Sequence, residues 1–278
     1  MLVDQRRSRP GRHRVTVLGS FTTTVDLGVD AGKAIAYLAV HRRPQRRADL
    51  AADLWPGGPV ARQLLDETLA TLWDSGLLEP DTGGPVALDP AVEVDLDAAM
   101  ALVRTLADAP GRPDSVPDDL PAAAALLRAD VLPGWPAAWL AVERERFRQI
   151  RLNALEDLSA ALGAVGRHAE AVELAEEAVR TAPSRESARR ALIEAHLAQG
   201  GIAEAVAQYD EYQELLRSSV GASSAFGLEG LLPPVPAWPV LRVRQPTQRV
   251  GVALPGLRAG RRGPRRLVSG GSVPGPGR

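Results

Sequence analysis

The spacing of apolar residues changes character along this chain. Val15-Thr16-Val17-Leu18 and Thr22-Thr23-Thr24-Val25 are short β-prone runs separated by Gly19-Ser20-Phe21, which predicts a small hairpin. Lys33 to Val40 follows as a helix with Ile35, Leu38 and Ala39 inward, broken at Pro44. Arg47 to Trp55 is a second short helix, stopped by Pro56-Gly57-Gly58-Pro59. Val60 to Trp73 is a third, with Leu64, Leu65, Leu69 and Leu72 as its apolar side. Leu77-Leu78-Glu79 and Val86-Ala87-Leu88 flank a turn at Asp81-Thr82-Gly83-Gly84, a second hairpin. Strands, three short helices and a closing hairpin are the order of parts in a winged helix. The third helix is then the candidate recognition helix and the last hairpin the wing.

From Val94-Asp95-Leu96-Asp97 onward the pattern is helical throughout. Helices are expected at Ala98 to Ala107, at Leu120 to Leu127, and from about Ala137 to Val165. The long one carries Trp139, Val142, Phe147, Ile150, Leu155 and Leu158 as its apolar side, with Glu143, Arg144, Glu145 and Arg146 offering ion pairs to solvent. Gly166-Arg167-His168-Ala169-Glu170-Ala171-Val172 then reappears 34 residues later as Gly200-Gly201-Ile202-Ala203-Glu204-Ala205-Val206. That period is the length of a tetratricopeptide (TPR) helix–turn–helix unit. Ala171, Leu174, Ala175, Ala178 and Val179 form an i, i+3, i+4, i+7, i+8 stripe, and Gly166 and Gly200 stand where a helix must stop and turn. Leu228 to Leu232 is positioned to cap the final groove. The fold expected is mainly α: a small α+β winged helix over 15–93, then an all-α, TPR-like repeat domain over 94–232. Two or three such hairpins make a scaffold and not a catalyst.

Charge adds to this picture. The 278 residues carry a net charge of −1. Residues 1–14 hold five Arg and one Asp (+4) and residues 234–278 hold nine Arg and no acid (+9), so the body carries −1 − 4 − 9 = −14. Residues 1–14 read as a disordered basic arm and 233–278 as a disordered Pro/Gly/Arg-rich tail. Lys33 is the sole lysine, an arginine usage that suits a GC-rich bacterial genome. The chain has no cysteine, which excludes disulfides and thiolate metal sites. No apolar run approaches the roughly 20 residues that span a bilayer, so the expectation is a cytoplasmic protein without a membrane partner.

Enzyme chemistry finds no support. Gly28-Val29-Asp30-Ala31-Gly32-Lys33-Ala34 has three residues between its glycines where a phosphate-binding loop needs four, and Ala34 replaces the hydroxyl that would hold magnesium. His13, His41, His168 and His196 include no i, i+4 pair suited to zinc, and no serine occupies a Gly-x-Ser-x-Gly elbow. Neither catalysis, nor a cofactor, nor a metal is expected.

Particular runs resemble the antibiotic regulatory protein (SARP) family of bacterial activators. They are Ala48-Asp49-Leu50-Ala51-Ala52-Asp53-Leu54-Trp55-Pro56, Val94-Asp95-Leu96-Asp97, Leu132-Pro133-Gly134-Trp135 and Trp139-Leu140-Ala141-Val142-Glu143-Arg144-Glu145-Arg146-Phe147, together with Arg151 to Leu158 and the turn at Gly166. The resemblance implies a winged helix like those of response-regulator effector domains, followed by a bacterial transcriptional activator domain. It implies promoter DNA as one partner, and RNA polymerase, another protein or a second protomer at the repeats. On the third helix Arg62 matches the family's first recognition arginine, while Thr71 and Trp73 stand where later arginines are expected. Arg62 and Gln63 are the candidates for base edges, and Arg42, Arg43, Arg46 and Arg47 for the DNA backbone. Residues 15–79 hold six basic and eight acidic side chains, a poor balance for a phosphate-binding surface. The alternative is therefore a TPR-like interaction scaffold whose winged helix no longer binds DNA.

Overall fold

The computed structural model describes residues 13–58, 60–220, 228 and 230–232. The arm expected at 1–14 and the tail expected at 233–278 lie outside the described residues, except for His13 and Arg14. The sheet begins at Arg14, inside the stretch read as an arm.

Three very short strands open the fold: β1 (Arg14–Thr16), β2 (Thr22–Thr23) and β3 (Glu93–Val94). They lie in the order β2-β1-β3, with β2 antiparallel and β3 parallel to β1, so that Val15 stands opposite both Thr23 and Val94. Helices α1 (Val29–His41), α2 (Arg47–Leu54) and α3 (Ala61–Trp73) fill the interval. The wing is a hairpin of single bridges and not of full strands. Leu78 pairs with Leu88, Gln45 with Val86, and the Glu79 amide donates to the Ala87 carbonyl at 3.1 Å.

Helix α1 is the hub of the first core. Ala34, Ile35 and Ala39 are completely buried, and Leu50 of α2 and Leu65, Leu69 and Leu72 of α3 close over them. The same core takes in residues from far beyond the winged-helix order of parts: Leu96, Ala99, Val131, Leu132, Leu140 and Phe147. Backbone pairing explains the extension. Val131 bridges Leu18 antiparallel, the Leu132 amide donates to the Val17 carbonyl at 2.8 Å, and the Gly19 amide donates to Asp130 at 2.8 Å. The connector thereby lengthens the sheet along the continuation of β1.

Helices α4 (Asp95–Asp108), α5 (Leu120–Arg128) and α6 (Leu140–Ala164) lead into the repeats α7 (His168–Thr181), α8 (Glu186–Gln199) and α9 (Ile202–Val220). The stripe read from the sequence is the packed one, with Ala171, Leu174, Ala175 and Ala178 buried against α6 and α8. Gly166 and Gly200 adopt φ of +80° and +87°, and amides one residue on donate back to Leu162 and His196, closing each helix end. A Cβ at either position would meet nothing within 4 Å, so the backbone angle and not space calls for glycine there. Leu228 is fully buried with Tyr212 and Ile193, capping the last hairpin as expected.

Two sequence expectations on α6 fail, for one reason. Val142, expected inward, is 71% exposed. Arg144, expected to pair in solvent, turns inward instead. It donates to the carbonyls of Val131 (2.8 Å), Leu132 and Trp135 (3.2 Å). The connector bends under this end of α6 with Leu132 at φ +45°, and its unpaired carbonyls need donors more than they need apolar cover. Arg151, one further turn-pair along, is buried and donates to the Arg128 and Ala129 carbonyls, both at 2.9 Å, while pairing with Asp130 at 2.5 Å.

On the opposite side, the Asp95 carboxylate at the start of α4 accepts the amides of Val17 (2.9 and 3.1 Å) and Leu18 (2.9 Å). Burial pushes this carboxyl above its ordinary value of 3.8, against the pull of the amides. The folded chain thus holds the proton more tightly than the unfolded one. Stability from this group falls as pH rises from 3.8 through the raised value and is level beyond it. Asp95→Ala should destabilise the fold by about 2 kcal/mol or more, since three amides, those of Val17, Leu18 and Leu96, lose their acceptor. Asp95→Asn should recover part of that loss and abolish the pH dependence, both read by urea unfolding across a pH series.

Candidate nucleic-acid interface

Helix α3 buries one side and opens the other. Leu65, Thr68, Leu69 and Leu72 face the core, while Arg62, Gln63, Asp66, Glu67, Ala70, Thr71 and Asp74 are exposed. Arg62 and Gln63 lie in the first turn, where a helix entering a groove end-on would present them. Among the described residues Arg62 has no ion-pair partner. The Gln63 amide donates to the Glu67 carboxylate at 2.9 Å. Thr71 returns its hydroxyl to the Glu67 carbonyl at 3.2 Å, so neither side chain is a strong contact for DNA as it stands. Trp73 is half-buried, and its indole N–H is enclosed without a hydrogen-bond partner among the described residues. At that position the chain has a packing residue in place of a cation.

The arginine cluster of the α1–α2 turn separates into two kinds. Arg42 caps α1 in the left-handed region, its amide donating to Leu38 at 2.9 Å. Its guanidinium grips Asp97 of α4 with both nitrogens, at 2.9 and 2.7 Å. Arg47 is the clamp of the wing: its Nε donates to the Gly84 carbonyl at 3.2 Å and its Nη2 pairs with Asp81. The same guanidinium lies 5.2 Å from the centre of the Trp73 ring, joining the start of α2, the wing tip and the end of α3. Arg43 and Arg46, by contrast, are exposed, and neither has an ion-pair partner among the described residues. Of six predicted positions, then, Arg43, Arg46 and Arg62 are open to a ligand, Gln63 is held loosely, and Arg42 and Arg47 hold the protein together.

A groove of about 600 Å3 runs between α2 and α3, with Arg47, Arg62 and Asp66 on its rim and Trp55 and alanines inside. Sequence reasoning missed the partners that shape this face, Asp81 and Trp73 for Arg47 and Asp97 for Arg42. Asp81 lies 34 residues from Arg47, and nothing in local spacing links the two. At the repeats, a second groove of about 440 Å3 lies between α6 and α8, lined by Glu156, Asp157, Arg190 and Glu194. Arg185 occupies Glu156 at 2.7 Å, whereas burial, aided by the neighbouring Glu156, holds the Asp157 carboxyl above its ordinary range. Among the described residues no group of three or more His, Asp or Glu is placed to hold a metal ion, and no helix is long and apolar enough to cross a membrane.

Residues 94–231 match the sequence model of the family described as the bacterial transcriptional activator domain. No protein of curated function matches the chain. Among solved structures the fold is similar to Mycobacterium tuberculosis EmbR, determined in complex with a low-affinity phosphopeptide. The TM-score is 0.60 at 19% identity, over 79% of this chain and 64% of that one, so the chain spans less than two thirds of EmbR. MamA of strain MSR-1 aligns over 69% of this chain and 97% of its own at 16% identity, with a TM-score of 0.24 too low to carry an inference.

If Arg47 holds the wing, Arg47→Ala should raise amide hydrogen exchange at Glu79 and Val86 several-fold, by the ~1 kcal/mol of a partly exposed charged hydrogen bond. Arg46→Ala should leave those amides unchanged.

Proposed function

We propose that this chain, whose residues 94–231 match the bacterial transcriptional activator domain family, is a transcriptional regulator of that type and binds promoter DNA through α3 and the wing. The observation that carries the reading is the open first turn of α3, with Arg62 projecting from it and two arginines without an ion-pair partner among the described residues, Arg43 and Arg46, exposed on the turn before α2. In this mechanism α3 enters the major groove, and Arg62 reaches a guanine edge, where a bidentate contact discriminates by ~1–3 kcal/mol. Arg43 and Arg46 hold phosphates and set register without reading sequence. Arg42 and Arg47 act indirectly, by positioning α1 on α4 and the wing on α3. Gln63 reaches an adenine only by leaving Glu67. The helical repeats contact RNA polymerase, another protein or a second copy, in the cytoplasm of a bacterial cell.

One observation favours a second reading. Asp66, Glu67 and Asp74 share the exposed face of α3 with Arg62, and this face repels phosphate. A scaffold whose winged helix has lost DNA binding would look the same.

Fluorescence anisotropy with promoter DNA at low and moderate salt tests both. The DNA-binding reading expects Arg43→Ala and Arg46→Ala to weaken all sequences alike, each lowering the salt slope by about 1. Arg62→Ala should instead narrow the gap between promoter and random DNA by about tenfold or more. A complex that never forms, or that is lost only when 234–278 is deleted, would leave the scaffold.

A further inference from the structure

A groove of about 210 Å3 opens between the end of α1, one side of α4 and the first turns of α6. Its floor is apolar, made by Met100, Phe147 and Ile150, with Phe147 itself buried. Its rim carries three guanidiniums, Arg42, Arg104 and Arg146, and two carboxylates, Asp97 and Glu143.

The three guanidiniums are not equally engaged. Arg42 is satisfied by both oxygens of Asp97. Arg146 approaches Glu143 only to 3.9 Å, beyond hydrogen-bond length, and its side chain is 71% exposed. Arg104 has no ion-pair partner among the described residues. Asp97 is taken up by Arg42 and Glu143 stands 3.9 Å from Arg146, so the groove keeps a surplus of one positive charge, with Arg104 and Arg146 holding donors open above the apolar floor. Each planar fork matches a carboxylate, and a charge-assisted bond formed there is stronger than a neutral one.

We propose that this groove is a binding site for a small amphipathic anion, an organic carboxylate whose compact apolar body rests on Met100, Phe147 and Ile150 and whose carboxylate is held by Arg104 and Arg146. The volume lies below the roughly 300–1,000 Å3 of drug-sized sites, which selects a small ligand. An occupant touches α1 beside the Arg42–Asp97 pair as well as α4 and α6. Because such a ligand binds only the folded arrangement of these three helices, it stabilises that arrangement by mass action. The site is separate from α3 and the wing, and the proposal stands whether or not the chain binds DNA.

The test uses the full-length chain and 3-phenylpropionate as probe, followed by calorimetric titration and by thermal melting. Saturable binding in the millimolar range or tighter is expected. The neutral amide of the probe and inorganic phosphate should each bind about tenfold more weakly, because one lacks the charge and the other the apolar body. Arg104→Gln and Arg146→Gln, both at exposed positions, should each weaken the probe by about tenfold with the unliganded melting temperature unchanged. Arg112→Gln, which removes an exposed pair with Asp114, should have no effect. Absence of saturable binding, equal binding of the amide or of phosphate, or affinity that survives both arginine variants would each overturn the proposal.

Discussion

The fold depends on how the backbone that follows β1, at Val17 to Gly19, finds its partners. Strands of two and three residues cannot stand as an independent sheet, because so few ladder bonds do not offset the entropy of ordering them. The amides of Val17, Leu18 and Gly19 and the carbonyl of Val17 are met from outside the winged helix, by the Asp95 carboxylate on one hand and by the connector at 130–132 on the other. That connector is irregular, and its own carbonyls are met by Arg144 and Arg151 reaching down from α6. The sheet, α4 and α6 thus form one chain of dependence. A buried guanidinium is tolerable there because Arg151 has a carboxylate as well as two carbonyls, and removing either side would strand a charge.

The same economy of donors divides the arginines by role. Arg42, Arg47, Arg144, Arg151, Arg185 and Arg189 fasten elements to one another, the last buried on α8 against Glu211 and the Tyr212 ring. Arg43, Arg46, Arg62 and Arg104 have no ion-pair partner among the described residues, and Arg146 comes only to 3.9 Å from Glu143. In a body of net negative charge, each cation left without a partner is conspicuous, since acceptors are plentiful. Those on the winged helix support the DNA reading, and those beside α4 and α6 support a separate anion site. The acidic half of α3 fits neither use, since carboxylates repel the phosphates that a DNA-binding face must approach.

Periodic features were legible because they are local. The 34-residue repeat, the apolar stripe from Ala171 to Ala178, and the glycines at 166 and 200 depend only on helical geometry and backbone angle, which act within a few residues. The order of strands, helices and wing followed from the same short-range rules, whereas Arg62, three and seven residues before Leu65 and Leu69, shares their side of α3 and is exposed in the first turn nonetheless. Thr68 and Leu64 exchanged places in degree of burial because a stripe is about a hundred degrees wide and the packing partner selects its edge.

What the sequence determined by itself is therefore a helix-rich chain with a winged-helix order of parts, a repeat scaffold behind it, and an uneven distribution of charge. Tertiary structure alone decided which arginine is a clamp and which is free, why Val142 faces solvent while Arg144 turns inward, and how residues from Leu96 to Phe147 enter the first core. The physical reason is range. Helix periodicity and turn preference are settled between near neighbours, whereas a guanidinium's role is settled by whichever carbonyl or carboxylate the folded chain brings within about 3 Å of it. For Arg47 that partner was Asp81, for Arg42 it was Asp97, and no local pattern relates either pair.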